Sequence, residues 1–297
     1  MGINFRTIYL EKNEGHGNAR RKAVANSTNE LIALMDADDI SYDFRFEKQL
    51  NYFINDNELD IVGGQITEFI DIPTNIISRR KVPECDFEIK KYMKKRCPMN
   101  QVTVMFKKKF YDKVGGYIDW YCEEDYYLWL RMALCNGKFA NVKEDLVNVR
   151  IGNEMSSRRG GMKYFISEYR IQKFMLRNKI ISRIRFLYNV LLRFGGEVIL
   201  NDKMRTKVFK LIRNSPQIII KSNSDVNRNT QNNIKYPKFS VAMCVYNGDD
   251  AKYFDSALKS ILNQTVKPDE IVLVIDGPVS ILIEDVICKY RNLCKQI

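Results

Sequence analysis

The chain has 297 residues, 45% of them hydrophobic and 11% aromatic, which is enough for one sizeable α/β domain with a smaller appendage. Its seven cysteines form no C-x-x-C pair, which argues against a zinc ribbon or a disulfide framework and for reduced thiols in the cytosol. Because there is no signal-peptide pattern and no run of about 18 apolar residues, we expect a soluble or peripheral protein.

The positive charge of the chain is concentrated in one region. The net charge is +12, and residues 158–213 alone contain 15 Lys and Arg against three acids. The rest of the sequence is therefore close to neutral. This distribution predicts a neutral body that carries a strongly basic appendage with an anionic partner.

The first half of the chain alternates predicted strands and helices. Residues 31–35 form an apolar run that is typical of a buried strand, and it leads into the acidic sequence Asp36-Ala37-Asp38-Asp39. The predicted strands are 5–10, 30–35, 60–62 and 102–106, and the predicted helices are 18–26, 41–53 and 124–134.

Between residues 160 and 213 the sequence predicts two or three basic amphipathic helices, of which 186–193 is typical. Such a helix can lie on an anionic membrane, and the alternative is a helical cap on the sheet with a solvated charged face. Residues 214–237 are polar, rich in asparagine and closed by a proline, which indicates a linker.

A second alternating unit follows the linker. Strands are predicted at 239–245 and 270–275, and helices at 251–263 and 280–290. This alternation predicts a parallel, doubly wound sheet, in which ligands bind beyond the carboxyl ends of the strands. Asp36 and Asp276 both follow predicted strands at such ends.

Several motifs together resemble a family 2 glycosyltransferase. Segments 240–247, 260–265 and 270–277 resemble the first third of that family, and segments 13–20, 35–39 and 123–131 resemble the remainder. Segment 149–161 is similar to the subset that builds capsular and exopolysaccharide chains, including amylovoran-type enzymes. The resemblance implies the GT-A fold, an α/β fold with a Rossmann-like, doubly wound, mostly parallel sheet.

The motifs occur in a rotated order, since the family's opening segment lies at the C-terminus of this chain. We interpret this order as a circular permutation, and the alternative is a join of two gene pieces. Residues 1–157 are then the C-terminal part of the catalytic domain, with the metal and acceptor motifs. Residues 158–213 are the basic helical appendage, 214–237 the linker, and 238–297 the nucleotide-binding N-terminal part.

The acidic turn is the predicted metal site. Mg²⁺ and Mn²⁺ prefer oxygen ligands and bind through one or two carboxylates plus phosphates. The resemblance implies that Asp38 coordinates the metal, that Asp36 faces the ribose and shares the metal, and that Asp39 supports both. A solvated acidic loop with an N-cap is the alternative for an isolated D-x-D sequence.

The resemblance also implies a nucleotide pocket made by both halves of the chain. Asp276 would accept a hydrogen bond from the base, with a plain Asp-Gly turn as the alternative. Tyr246 and Asn247 would line the same pocket at the end of a strand. Arg20, after a Gly-containing loop, would approach the phosphates or the nucleotide, and the alternative is an ordinary surface arginine.

The catalytic base is predicted at the start of helix 124–134. The family places its base at the acid that matches Asp125, and Glu124 is the next candidate. Acids in a first helical turn also suit the helix dipole, which is the alternative explanation for both residues. One base on the face opposite the leaving group implies a single displacement with inversion.

Cations and one polar residue complete the predicted site. Arg150, Arg158 and Arg159 lie in or near a Gly-flanked loop, where they would help to neutralise the diphosphate; a basic surface loop is the alternative. Gln101 stands where relatives often have a histidine, so acceptor recognition or sugar specificity is expected to differ there.

The resemblance implies that the enzyme transfers a sugar with inversion in surface polysaccharide synthesis. The implied donor is a nucleotide sugar, with a UDP-sugar as the first candidate in the family pattern, and the implied acceptor is a glycan or a polyprenyl-pyrophosphate-linked sugar. Mn²⁺ or Mg²⁺ is the implied cofactor, and the expected location is cytoplasmic, at the inner face of the bacterial cell membrane. A sugar-phosphate nucleotidyltransferase is an alternative, but residues 245–250 lack the arginine of its Gly-rich loop. An inactive rearranged product is another, and no nucleic-acid partner is expected.

Overall fold

The computed structural model of the chain describes residues 2–118, 120–152, 161–196 and 235–296. Its strands are β1 (Asn4–Tyr9), β2 (Leu31–Met35), β3 (Ile40–Ser41), β4 (Ile61–Phe69), β5 (Ile76–Arg80), β6 (Met105–Lys107), β7 (Phe139–Arg150), β8 (Phe239–Val245) and β9 (Glu270–Ile275). Its helices are α1 (His16–Asn26), α2 (Arg45–Asn55), α3 (Asp86–Met93), α4 (Lys108–Lys113), α5 (Glu124–Leu134), α6 (Met162–Arg177), α7 (Arg183–Phe194), α8 (Ala251–Leu262) and α9 (Ile281–Gln296).

These strands belong to one mixed sheet. Its order is β1-β9-β8-β2-β6-β4-β7-β3, with β5 paired to β4. The four neighbouring strands β1, β9, β8 and β2 are parallel to one another, and β4 and β7 form a further parallel pair. The predicted α/β class with a Rossmann-like, largely parallel sheet is confirmed by this arrangement.

The C-terminal section of the chain lies inside the parallel part of the sheet rather than at its edge. Met35 at the end of β2 lies opposite Met243 of β8, and Val245 of β8 lies opposite Ile275 of β9. The carboxyl ends of β2, β8 and β9 are therefore neighbours. Residues from both ends of the sequence meet at this edge, where parallel sheets bind their ligands.

Both faces of the sheet are covered, and this explains the apolar runs in the sequence. Every residue of β2, β8 and β9 is buried. One face packs against α2, α8 and α9, and the other packs against α1 and α5. Strands that are buried on both faces read as nearly continuous apolar segments, without the alternation of a half-exposed strand.

Helix α2 begins later than predicted. It starts at Arg45, whereas the sequence pattern predicted a helix from residue 41. Residues 40–41 pair with β7 instead, with Ser41 opposite Val147. The backbone groups of this short strand are engaged in the sheet, so the prediction was wrong at this boundary.

The predicted strand 102–106 is only partly a strand. Residues 101–103 form a 3₁₀ turn, and β6 begins at Met105. The Thr103 hydroxyl donates to the Asn100 carbonyl at 2.6 Å and accepts from the Gly64 N–H at 3.0 Å. These side-chain bonds compete with the sheet ladder, and the apolar pattern of the sequence could not reveal them.

The described part of the basic appendage is a helical hairpin packed on the body. The Asn189 amide of α7 donates to Gln172 of α6 at 2.8 Å, and Arg193 pairs with Glu168 at 2.6 Å. Asn189 and Arg193 also donate to backbone carbonyls just beyond α3. The remaining predicted appendage residues, 158–160 and 197–213, and linker residues 214–234 lie outside the described residues. None of the described helices is long and apolar enough to cross a membrane.

Candidate active site

The acidic turn follows β2 at the carboxyl edge of the sheet. Its last residue, Asp39, is 3% exposed and accepts a hydrogen bond from the Arg150 backbone N–H at 2.8 Å. Burial, and then the charges of Asp38 and Asp36, raise the pKa of Asp39 well above its ordinary value. Asp39 therefore anchors the turn to β7.

A buried cation lies behind the turn. Arg45, at the start of α2, is fully buried and donates to the Leu34 carbonyl at 2.7 Å and to the Ser41 hydroxyl at 2.9 Å. These acceptors precede and follow the turn, so one side chain fixes both of its ends. Burial lowers the pKa of Arg45 to about 9, while Asp36 and Asp39 act in the opposite direction. Sequence reasoning missed Arg45, since an arginine is rarely fully buried.

Arg20 connects the acidic turn to the predicted catalytic base. Its guanidinium lies 2.8 Å from Asp36 and 3.4 Å from Glu124, and its side chain is only 12% exposed. Burial opposes its charge, but Asp36 raises the pKa of Arg20 well above the ordinary value. Arg20 is therefore a buried bridging cation rather than an ordinary surface arginine.

Asp276 holds the loop in front of α1. Its carboxylate accepts the backbone N–H of Glu14 at 2.7 Å and that of Gly15 at 3.1 Å, and it is 5% exposed. A carboxylate has about four acceptor positions, so these two bonds leave capacity for a ligand. The following residue, Gly277, has φ +87°, and a Cβ there would lie 2.7 Å from the Asn13 nitrogen.

The turn after β8 contributes Tyr246, Asn247 and an acid that sequence reasoning missed. The Tyr246 ring meets the His16 ring edge-on at 5.6 Å between centroids, and Asn247 is exposed. Asp249 accepts the Tyr246 backbone N–H at 3.0 Å. Burial, followed by the charges of Asp38 and Asp36, raises the pKa of Asp249 to about 6. The only signal in the sequence is its place after a strand end.

Strand pairing brings these groups to one edge of the sheet. Met35 at the end of β2 lies opposite Met243 of β8, and Val245 of β8 lies opposite Ile275 of β9. Arg20 reaches this edge through its 2.8 Å ion pair with Asp36. Burial raises the pKa of the Cys244 thiol to about 12, and the charges of Arg20, Asp36, Asp249 and Asp276 also act on it.

The two acids predicted as bases lie in the first turn of α5. Burial, and then Asp125, raise the pKa of Glu124, while Arg20 lowers it. The Asp125 carboxylate accepts the Tyr126 backbone N–H at 2.6 Å, and the Cys97 sulfur lies 4.0 Å from its other oxygen. Glu124 is paired with Arg20, and Asp125 is not part of that ion pair.

Arg150 has a well-defined role in packing. Its guanidinium lies over the Tyr253 ring at 3.5 Å and near the Phe69 ring at 4.5 Å, measured to the ring centroids. It also donates to the backbone carbonyls of Asp38 and Asp71. The predicted diphosphate contact therefore has to compete with bonds that join β7, the acidic turn and α8.

Gln101, Arg158 and Arg159 are the remaining residues of the predicted site. The Gln101 amide nitrogen is buried, and no protein acceptor for it is found among the described residues. Arg158 and Arg159 lie outside the described residues.

A divalent metal fits the chemistry of the acidic turn. Asp36, Asp38 and Asp249 offer only carboxylate oxygens, the donors that Mg²⁺ and Mn²⁺ prefer. Within the described residues, no three acidic, His or Cys side chains are grouped closely enough to enclose an ion by themselves.

Comparison with known proteins identifies glycosyltransferases as relatives of this chain. The model of glycosyl transferase family 2 matches residues 1–115, which include Arg20 and the acidic turn. A glycosyltransferase of Haemophilus influenzae is 36% identical over 197 residues, which cover 66% of this chain and 73% of the relative.

Two relatives carry more specific names. A UDP-Gal:alpha-D-GlcNAc-diphosphoundecaprenol beta-1,3-galactosyltransferase of Escherichia coli is 36% identical over 64% of this chain and 69% of its own length. An amylovoran biosynthesis glycosyltransferase of Erwinia amylovora is 32% identical over 63% of this chain and 69% of its own length. With this fold, this site and these relatives, the chain belongs to glycosyl transferase family 2.

Proposed function

We propose that this glycosyltransferase moves a sugar from a UDP-sugar to a polyprenyl-diphosphate-linked or other glycan acceptor, with inversion, in surface polysaccharide synthesis. The observation that carries the proposal is the pairing of β2, β8 and β9, which places Asp36, Asp249 and Asp276 after neighbouring strand ends, with Arg20 2.8 Å from Asp36. The Escherichia coli relative is named for a UDP-sugar donor and a diphosphoundecaprenol-linked acceptor, which supports the same classes here.

On the donor side, Asp38 and Asp36 would hold Mn²⁺ or Mg²⁺, and Asp36 would also face the ribose. When bound, the metal supplies charge stabilisation for the departing diphosphate. Asp276 would accept a hydrogen bond from the nucleobase, because the Glu14 and Gly15 N–H groups leave some of its carboxylate acceptor positions unused. Tyr246 and Asn247, in the turn after β8, would line the same nucleotide pocket, and Arg20 would approach the phosphates from α1.

On the acceptor side, a carboxylate of the Glu124–Asp125 pair would take the proton of the attacking hydroxyl. The hydroxyl oxygen forms the new bond to the anomeric carbon as the bond to the diphosphate oxygen breaks. Asp125 is the better candidate, because Glu124 is already paired with Arg20. A single displacement of this kind inverts the anomeric centre. Gln101, Arg150, Arg158 and Arg159 would contribute to diphosphate or acceptor binding.

The test of this function is a donor-hydrolysis screen of UDP- and other nucleotide sugars with Mn²⁺. We expect one donor to be hydrolysed by the wild type, and we expect Asp38→Ala or EDTA to abolish this turnover. Asp285→Ala, which removes an exposed acid on α9, is the matched control and should keep full activity. Full activity of Asp38→Ala, or of the wild type in EDTA, would disprove the metal assignment. Absence of turnover with any donor would favour an inactive rearranged product.

A nucleotidyltransferase is no longer supported as the alternative. Its prediction rested on a shared type of sheet, whereas the family match and the named relatives are glycosyltransferases.

An anionic membrane at the inner face of the bacterial cell is the proposed partner surface. Residues 162–194 carry eight Lys and Arg and a single acid, Glu168. The apolar side chains of α7 that follow the spacing i, i+3, i+4, i+7, i+8 point outward: Ile184, Leu187, Tyr188, Leu191 and Leu192 are 57–82% exposed. An amphipathic helix with its apolar stripe in solvent and basic neighbours suits an anionic bilayer, at about 1 kcal/mol per basic residue near the surface.

Flotation with phosphatidylglycerol vesicles tests this surface. The wild type should float with the vesicles, and the double variant Leu187→Glu, Leu191→Glu should not. Ile54→Glu changes an exposed apolar residue on α2 and is the control that should still bind. Equal binding of the double variant, or no binding by the wild type, would contradict the proposal. A concentration-dependent dimer that the double variant loses would assign the face to a second copy instead.

We infer that the order of the two sections reflects a circular permutation. Two observations support this: β8 and β9 fit between β1 and β2, and a Cβ at Gly2 would lie 2.9 Å from the Cys294 carbonyl oxygen. A variant in which residues 238–296 precede residue 2 through a short linker should keep the same thermal midpoint and donor hydrolysis. Loss of folding in that variant would contradict the inference.

A further inference from the structure

Helix α6 of the basic hairpin is bonded to the segment that precedes the candidate base. The Ser167 hydroxyl donates to the Tyr121 carbonyl at 2.5 Å, and the Tyr164 hydroxyl donates to the Glu123 carboxylate at 2.8 Å. The Lys163 ammonium lies 4.0 Å from the centroid of the Tyr121 ring. The first two turns of α6 thus hold residues 121–123, which we call the acceptor loop.

Glu123 connects this loop directly to the base helix. It is the residue before α5, it is 6% exposed, and its carbonyl accepts the Tyr127 N–H at 2.9 Å. A buried carboxylate is costly unless donors replace its water, and Tyr164 supplies such a donor. The position of Glu123 in turn sets where the first helical turn, with Asp125, begins.

The donor side of the site is held by other contacts. Arg20 fixes Asp36, and Asp276 fixes the loop at residues 14–15. One link between the two sides is the 3.4 Å contact of Arg20 with Glu124. A change at Tyr164 should therefore disturb the acceptor side first.

We propose that Tyr164 is a positioning residue for sugar transfer to the acceptor: by donating to Glu123 it holds the acceptor loop and the start of α5 where Asp125 can take the acceptor proton. The proposal rests on the proposed function, because it assigns a role within the same site. The hairpin would then contribute to catalysis as well as to membrane binding. Helix α6 holds the acceptor loop, and it is bonded to α7, which carries the exposed apolar stripe.

The first test is Tyr164→Phe, which removes only the hydroxyl. Two rates are measured with the donor selected by the hydrolysis screen: hydrolysis of the donor by water, and transfer to a diphospho-lipid-linked N-acetylglucosamine. Transfer should fall roughly ten- to hundredfold, because a small misplacement of a base relative to a bound acceptor hydroxyl costs that much. Hydrolysis should stay within about twofold, because a water molecule is not fixed by an acceptor site and can follow the displaced base. Tyr169→Phe, on the exposed part of the same helix, is the control and should change neither rate.

The second test is a double-mutant cycle with Glu123→Gln. If the two side chains act through their mutual contact, the double variant should transfer no more slowly than the slower single variant. Equal losses of transfer and hydrolysis in Tyr164→Phe, or unchanged transfer, would overturn the proposal. A wild type that shows neither reaction would refute the proposed function, and this inference would fall with it.

Discussion

At the residue scale, two arginines are placed against the acidic turn from different elements. Arg20 of α1 pairs with Asp36, and Arg45 of α2 donates to the Leu34 carbonyl. A buried charge is tolerated only where hydrogen bonds or opposite charges replace the water that it loses. The turn is therefore a strongly negative site that the protein itself partly balances, and a divalent metal would add to that balance.

Removal of the Arg45 guanidinium should destabilise the fold. Arg45→Met keeps much of the side-chain volume but donates none of the hydrogen bonds to Leu34 and Ser41. We expect the free energy of unfolding to fall by about 2–4 kcal/mol, measured by urea denaturation. Arg21→Met, an exposed arginine of α1, is the control and should change it by less than about 0.5 kcal/mol. Equal stability of the two variants would show that Arg45 does not hold the turn.

The pH dependence of transfer should respond to Arg20. A carboxylate acts as a base only when it is ionised, so the part of kcat/KM that depends on Glu124 is full above the pKa of Glu124 and is lost as the pH falls through it. Burial and Asp125 raise the pKa of Glu124, and Arg20 lowers it. Arg20→Met should therefore move the acidic limb of the pH profile of kcat/KM to higher pH, and it should also reduce the rate of transfer. A limb that stays in place, or that shifts equally in Arg21→Met, would exclude this coupling.

At the element scale, the turn after β9 and the loop before α1 depend on each other. Gly277 follows Asp276 in a positive-φ conformation, and its α-carbon faces the backbone of Asn13. A side chain at this position meets both backbone strain and a steric contact. The two elements can approach closely enough for Asp276 to bind the loop because residue 277 is glycine.

Gly277→Ala should therefore weaken nucleotide binding. The added Cβ would push the loop at residues 13–15 away from the Asp276 carboxylate and would break the bonds from the Glu14 and Gly15 N–H groups. We expect the Kd for UDP to rise at least about tenfold, measured by calorimetry in the presence of Mn²⁺. Gly195→Ala, where a Cβ meets nothing within 4 Å, is the control that should bind normally. Unchanged affinity of Gly277→Ala would separate this loop from the site.

Some elements could be predicted closely from the sequence. The bounds of β8, β9 and α5 agree with the predicted ones. Strands that are buried on both faces leave continuous apolar runs, and α5 begins at two acids and buries most of the apolar residues that follow them. The start of α2 and the strand at 102–106 were wrong, because a short strand pairing and the Thr103 hydroxyl bonds outweigh local preference.

The candidate site was only partly predictable for a similar reason. Asp36 and Asp38 stand in a recognisable motif after an apolar strand, and Asp276 stands at the end of another. Arg45 is fixed by bonds to Leu34 and Ser41 on either side of the folded turn, and no motif marks it in the sequence. Asp249 accepts the Tyr246 N–H, and its place after a strand end is its only sequence signal. The bond from Tyr164 to Glu123 joins residues of two separate helical regions, which only the tertiary structure reveals.

At the scale of the whole molecule, one site is built from two sections of the chain. Asp36 and Asp276 lie 240 residues apart in sequence, yet the parallel pairing of β2, β8 and β9 brings their strand ends together. The family model matches residues 1–115, and the C-terminal section completes the same sheet. The central claim is that both sections bind the same nucleotide.

The most direct test of this claim is a calorimetric titration of UDP in the presence of Mn²⁺. It compares the wild type with Asp38→Asn in the first section and Asp276→Asn in the second. Each variant alone should weaken UDP binding at least about tenfold, or about 1.4 kcal/mol, while both remain folded. If Asp276→Asn binds UDP as tightly as the wild type while Asp38→Asn does not, the C-terminal section is not part of the nucleotide site.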